Sequence, residues 1–159
     1  MNYHVRVLIP CYREPLNIVS KTILAAHDAV LPAGCQCHVY VCDDGRDPKI
    51  KKFCRSLGPS VTYVSGRRRE AGEMNGKSGN LNNCLSQVYP EGVPIPPQEV
   101  VCVFDADQVG PERRPVLLPC WCAWSSSSGS LVAAMHTATF LPIAALGDDR
   151  VVGARQLDA

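Results

Sequence analysis

Apolar residues fall along this chain in two alternating patterns. Short β-branched runs, Val5 to Ile9, His38 to Cys42, Val61 to Val64 and Val100 to Phe104, read as strands. Between them apolar residues recur at helical spacing: Leu16, Val19, Ile23 and Ala26, then Ile50, Phe53, Cys54 and Leu57, then Leu81, Cys84, Leu85 and Val88. The punctuation agrees. Pro15 suits a first helical turn, Asp47-Pro48 reads as N-cap plus N1, Gly58-Pro59 as a stop, and Asn80 as the cap of the third helix. Strands alternating with helices predict a mostly parallel sheet covered on both faces, an α/β, Rossmann-like fold. The continuous apolar run Val100 to Phe104 fits a strand buried on both sides.

After Asp107 the pattern changes. Pro111, Pro115 and Pro119 punctuate the chain, Ser125 to Ser128 follow, and Leu131 to Leu146 is apolar and alanine-rich. The reading is one α/β unit over residues 1–110 and an irregular tail over 111–159. A membrane-spanning helix in Leu131 to Leu146 is the alternative, slightly short of the roughly 20 residues that a span needs.

Bulk composition narrows the function. With 159 residues there is room for one ordinary domain with one core. A net charge of +1 gives no field that would gather nucleic acid, so anion binding has to be local. The Arg67-Arg68-Arg69 run lacks interleaved aromatics and reads as a solvated loop, with one phosphate contact as the alternative. Nine cysteines are an odd count, and Cys42, Cys54, Cys84 and Cys102 fall on apolar faces. With no secretory leader expected, they imply a reducing compartment rather than a disulfide framework. Cys35/Cys37 with Cys120/Cys122 could hold zinc, but their spacing is not the usual one.

Four polar clusters follow strands or open a helix: Tyr12-Arg13-Glu14, Asp43-Asp44-Gly45, Gly76 to Asn80, and Asp105-Ala106-Asp107. In a parallel sheet such loops converge on one crevice beyond the strand carboxyl ends. Asp43 or Asp44 can accept from a base N–H or a ribose hydroxyl, and Glu14 could do the same for ribose. Gly45 allows a sharp exit. Lys77 is a point charge suited to a diphosphate, and the helix beginning near Asn80 adds its positive end. Asp105 and Asp107 would hold a hard divalent cation between themselves and the phosphates. Singly, each residue could equally be a solvated turn.

The segments Val7 to Glu14, Val41 to Gly45, Gly76 to Asn82 and Val103 to Gln108, in this order, closely resemble family 2 glycosyltransferases of the cellulose-synthase-like kind. The resemblance implies a GT-A nucleotide-sugar-binding domain that takes a UDP-sugar with Mn²⁺ or Mg²⁺ and transfers the sugar to a glycan acceptor with inversion. It places Tyr12, Glu14 and Asp43 beside uridine, Lys77 on the diphosphate, and Asp105 with Asp107 on the metal. The family's later Thr-Glu-Asp base and Gln-x-x-Arg-Trp motif have no counterpart here. The expectation is therefore a donor-binding half without an acceptor base. The parent would be membrane-associated with a cytoplasmic catalytic domain; this piece alone would be cytoplasmic. A non-catalytic UDP-sugar-binding remnant is one alternative. A P-loop NTPase is another, weakened because Gly72 precedes Gly76 by three residues where four are required.

Overall fold

The computed structural model describes residues 3–31, 33–67, 76–94, 96 and 98–107, together with the backbone of 131–134 and 139–142. Strands are β1 (His4–Cys11), β2 (Gln36–Asp43), β3 (Val61–Ser65), β4 (Glu99–Val103), β5 (Leu131–Ala134) and β6 (Thr139–Pro142). Helices are α1 (Leu16–His27), α2 (Pro48–Ser56) and α3 (Gly76–Val88). The sheet order is β3-β2-β1-β4-β5-β6. Every neighbouring pair is parallel except β5 with β6, so the α/β class and the mostly parallel sheet are as the periodicity predicts.

The tail contributes to that sheet. Leu131–Ala134 pairs with β4, and Thr139–Pro142 returns antiparallel beside it. The stretch from Leu131 to Leu146 is thus not the single helix that a span would need. Among the described residues no helix is long and apolar enough to cross a membrane. The remaining tail residues, with Cys120 and Cys122, lie outside the described residues.

Period-two alternation divides the core into two layers. Val5, Val7 and Ile9 of β1, Val39 and Val41 of β2, and Val100 and Cys102 of β4 face α1 and α2, where they meet Val19, Ile23, Ala26, Ile50 and Cys54. Leu8, Cys42, Val64 and Val101 face α3 and meet Leu81 and Cys84. The cysteines in these layers are free thiols packed as small hydrophobes; burial pushes Cys102 up to about 12 and Cys54 to about 11. Asp47 caps α2 by accepting from the Lys49 N–H at 2.7 Å, with Pro48 at its first position.

β1 runs two residues further than its apolar pattern suggests and includes Pro10 in a central strand, an unusual place for a residue that cannot donate. Its neighbours explain it. The Leu8 carbonyl accepts from the Phe104 N–H at 3.0 Å, so Pro10, two residues on, faces the same side. The β1–β4 register has already ended there, at Leu8↔Val103, while β1 and β2 continue paired to Cys11↔Asp43. No ladder bond is lost, and the strands part at their carboxyl ends.

At the opposite end β1 and β4 are tied together. Glu99, 3% exposed, takes two hydrogen bonds from the Arg6 guanidinium, at 2.7 and 2.9 Å, and one from the Tyr89 hydroxyl at 2.7 Å. Burial alone would raise the Glu99 carboxyl, but the bonds from Arg6 and Tyr89 and the Arg6 charge outweigh it and hold it below its usual range. Replacing Arg6 by Met strands a buried carboxylate, and urea denaturation at pH 7 is expected to show a loss of about 3 kcal/mol. Because the folded carboxyl is the more acidic, the stabilisation is complete above the unfolded pKa. It disappears as pH falls through the folded one, so the gap between wild type and variant closes in acid.

Candidate functional site

The parting of β1 and β4 opens a cavity of about 350 Å³ at the carboxyl end of the sheet. Its walls include Tyr12 and Glu14 from the β1 exit, Lys77 and Asn80 from α3, and Asp105 and Asp107 from the β4 exit. Strand order reverses between β1 and β4, so the cavity lies where open α/β sheets bind ligands. Six of the residues singled out in the sequence therefore line one cavity.

Each is held by an identifiable contact. α3 begins at Gly76, so Gly76 to Gly79 form its first turn and Asn80 is an interior residue, not the expected cap. The reason is tertiary. Asn80 is 0% exposed, and its Nδ2 donates to the Cys42 carbonyl at 2.7 Å and, at the 3.5 Å limit, to the Cys11 carbonyl. This fixes the amide orientation and leaves Oδ1 without a hydrogen-bond partner among the described residues. One residue earlier, Gly79 lies under the Arg67 guanidinium, where a Cβ would come within 2.0 Å of Nη2. A larger residue there would require the guanidinium to move aside.

Lys77 Nζ donates to Asp105 Oδ1, joining the helix start to the β4 exit in an ion pair whose side chains are 55% and 42% exposed. Behind it, Ala106 packs into the α1-side core, and its carbonyl accepts from the buried Thr22 hydroxyl at 2.8 Å. The turn is thereby oriented with a carboxylate on either side of a buried alanine. Across the cavity, the Tyr12 N–H donates to Glu14 Oε2, and Arg13, with φ 67°, stacks its guanidinium 5.0 Å from the Tyr12 ring centre. Cys11 also lines the cavity, but burial, then the charges of Asp43 and Glu14, push its thiol far above neutrality.

Asp43 and Asp44 lie at the neighbouring β2–α2 turn. Neither is on the cavity wall. Asp43 is 1% exposed, and its carboxylate accepts from the Gly45 N–H at 2.8 Å, the Asp47 N–H at 2.7 Å and the Tyr63 hydroxyl at 3.0 Å. Those bonds hold the β2–α2 turn. Asp44 is buried beside it, and its N–H donates to the Cys11 carbonyl at 3.1 Å, tying that turn to the β1 exit. Gly45 serves the same junction: a Cβ would stand 3.0 Å from the Arg13 backbone nitrogen, while the left-handed residue of the turn is Arg46, with φ 56°.

The donor set suits a hard cation only in company. Asp105 and Asp107 offer two carboxylates, and among the described residues no cluster of three or more His, Cys, Asp or Glu could cage a metal. A Mg²⁺- or Mn²⁺-like ion would fit as one held by one or two carboxylates with phosphate oxygens completing its shell. The Lys77 ammonium on Asp105 already shows that this carboxylate accepts a cationic partner.

Comparison with known proteins gives the chain a context. No family model matches the chain. Over 105 residues it is 37% identical to the cellulose synthase catalytic subunit (UDP-forming) of Pseudomonas fluorescens (strain SBW25), a match covering 66% of this chain and 12% of that protein. It is 32% identical over 105 residues to the corresponding subunit of Xanthomonas axonopodis pv. citri (strain 306), with the same coverage. It is 31% identical over 105 residues to putative cellulose synthase 2 of Komagataeibacter xylinus, 6% of that protein. The likeness is to cellulose synthases. This chain spans about an eighth or less of the length of each of these relatives.

Thr22, Pro10 and Ile18 were not singled out in the sequence. A lone hydroxyl on the apolar face of α1 was the signal for Thr22. Replacing it by Val keeps the shape and removes the donor. Chemical denaturation is expected to show a loss of about 1–2 kcal/mol, the cost of an unpaired Ala106 carbonyl.

Proposed function

We propose that residues 1–110 form the donor-binding part of a UDP-sugar-dependent glycosyltransferase, of the inverting family 2, GT-A kind, acting in cellulose-like polysaccharide synthesis. The single observation behind this reading is the meeting of Lys77 and Asp105 at the open end of the β1–β4 crevice, beside Asp107 and the start of α3. The 105-residue likeness to UDP-forming cellulose synthase subunits supports it.

Within this reading Tyr12 and Glu14 flank the nucleoside, and Asn80 Oδ1 offers an acceptor to a hydroxyl or base N–H. Lys77 and the first turn of α3 face the diphosphate. Asp43 and Asp44 act through the turn they hold. Asp105 and Asp107 would hold Mn²⁺ or Mg²⁺, which when bound would neutralise charge on the departing diphosphate. An acceptor base is not part of this assignment; the residues named bind and orient the donor. A P-loop reading is disfavoured because Lys77 does not follow its strand directly: β3 ends at Ser65 and α3 starts at Gly76.

Calorimetry with UDP and uridine tests the assignment. Lys77→Ala is expected to weaken UDP by about tenfold and uridine by less than about twofold, since only UDP carries the diphosphate. Equal losses would remove Lys77 from that role. The double variant Asp105→Ala/Asp107→Ala should abolish any gain in UDP affinity from Mn²⁺. An undiminished gain would overturn the metal assignment.

A further inference from the structure

Lys77 and Asp105 hold each other, yet on the reading above each serves a different part of one ligand. The Lys77 ammonium is the counter-charge for a diphosphate, and Asp105 is a carboxylate for a divalent cation. In the pair Nζ donates to Oδ1, one of the two oxygens that Asp105 has to offer, so a cation on Asp105 would meet the ammonium's charge and compete for that oxygen. We propose that Lys77 is a built-in surrogate cation that guards Asp105 until a diphosphate arrives and draws the ammonium away. Metal and diphosphate would then favour each other's binding through Lys77 as well as through direct coordination. This inference rests on the donor-site reading and adds to it an order of events: the cation side becomes available when the diphosphate side is filled.

Four features carry the idea. The partners come from separate elements, the first turn of α3 and the β4 exit, so the pair spans the cavity mouth rather than staying within one loop. The Asp105 turn is anchored from behind by Thr22 and the buried Ala106, which leaves Lys77 the mobile partner, a long exposed side chain. Both side chains are well exposed, so the pair is weak enough for a multiply charged anion to break. Meanwhile, too few other carboxylates stand nearby for a metal to bypass Asp105: no cluster of three metal-binding side chains exists among the described residues.

The consequence is a change of sign that a structural role for Lys77 would not produce. By calorimetry, Lys77→Gln should bind Mn²⁺ alone about fivefold tighter than wild type while binding UDP more weakly. The tightening of Mn²⁺ by saturating UDP should be smaller in the variant by about the same factor. Arg13→Gln is the control for general charge. Its guanidinium is stacked on Tyr12, so Mn²⁺ affinity should stay within about twofold of wild type. Equal Mn²⁺ affinity in wild type and Lys77→Gln would overturn the proposal while leaving the donor-site reading intact, provided that UDP still binds. An equal gain in Arg13→Gln would overturn it too, by making the effect one of net charge. If wild type bound neither UDP nor Mn²⁺, both readings would fall together.

Discussion

One buried amide holds the functional end of this fold together. Asn80 reaches from α3 to the last carbonyls of two adjacent strands, Cys42 of β2 and Cys11 of β1. Helix dipoles act over a turn or so, and a lysine is useful only where its stem is aimed. Both conditions are met because the helix start is moored to the sheet at this point. A hydrophobic residue at position 80 could fill the volume but could not choose where along the strands the helix stops. The polar contact supplies position, and the Leu81 and Cys84 packing below it supplies stability.

The rest of the site is supported in the same manner, by contacts that never face the cavity. Thr22 sets the Asp105–Asp107 turn from the α1 side. Asp43 and Tyr63 set the β2–α2 turn, and Asp44 ties that turn to Cys11. The groups that line the cavity are more exposed than those behind them: Lys77 and Asp107 are exposed, Tyr12, Glu14 and Asp105 intermediate. Charged groups stand on a frame of buried hydrogen bonds, an arrangement that orients them without requiring them to hold the fold.

Much of this could be read from the residues in order. The strand–helix alternation is explicit in the β-branched runs and in the spacing of Val19, Ile23 and Ala26, because burial on a sheet demands those periods. Asp47-Pro48 marks a helix start through purely local chemistry, and α2 begins there. Asn80 also looks local, since Asn caps helices well, but its role is decided by carbonyls 38 and 69 residues away. Asp43 shows the same limit from the other side. An acidic residue after a strand advertises a ligand; the Gly45 and Asp47 N–H groups that bond it are local, but the Tyr63 hydroxyl comes from 20 residues on. The tail strands were hidden for a further reason: Leu131 to Ala134 is too short and alanine-rich to stand out until β4 offers it an edge.

Pro10 gives the crevice a permanence that side chains alone would not. Two neighbouring parallel strands tend to keep zipping wherever both backbones can bond, and an empty cleft between them is under constant pressure to close. Here the next tooth of the zipper is an imide nitrogen. At that position β4 meets no donor, so the ladder has no bond to extend beyond Leu8↔Val103. The opening is written into the backbone of β1 itself.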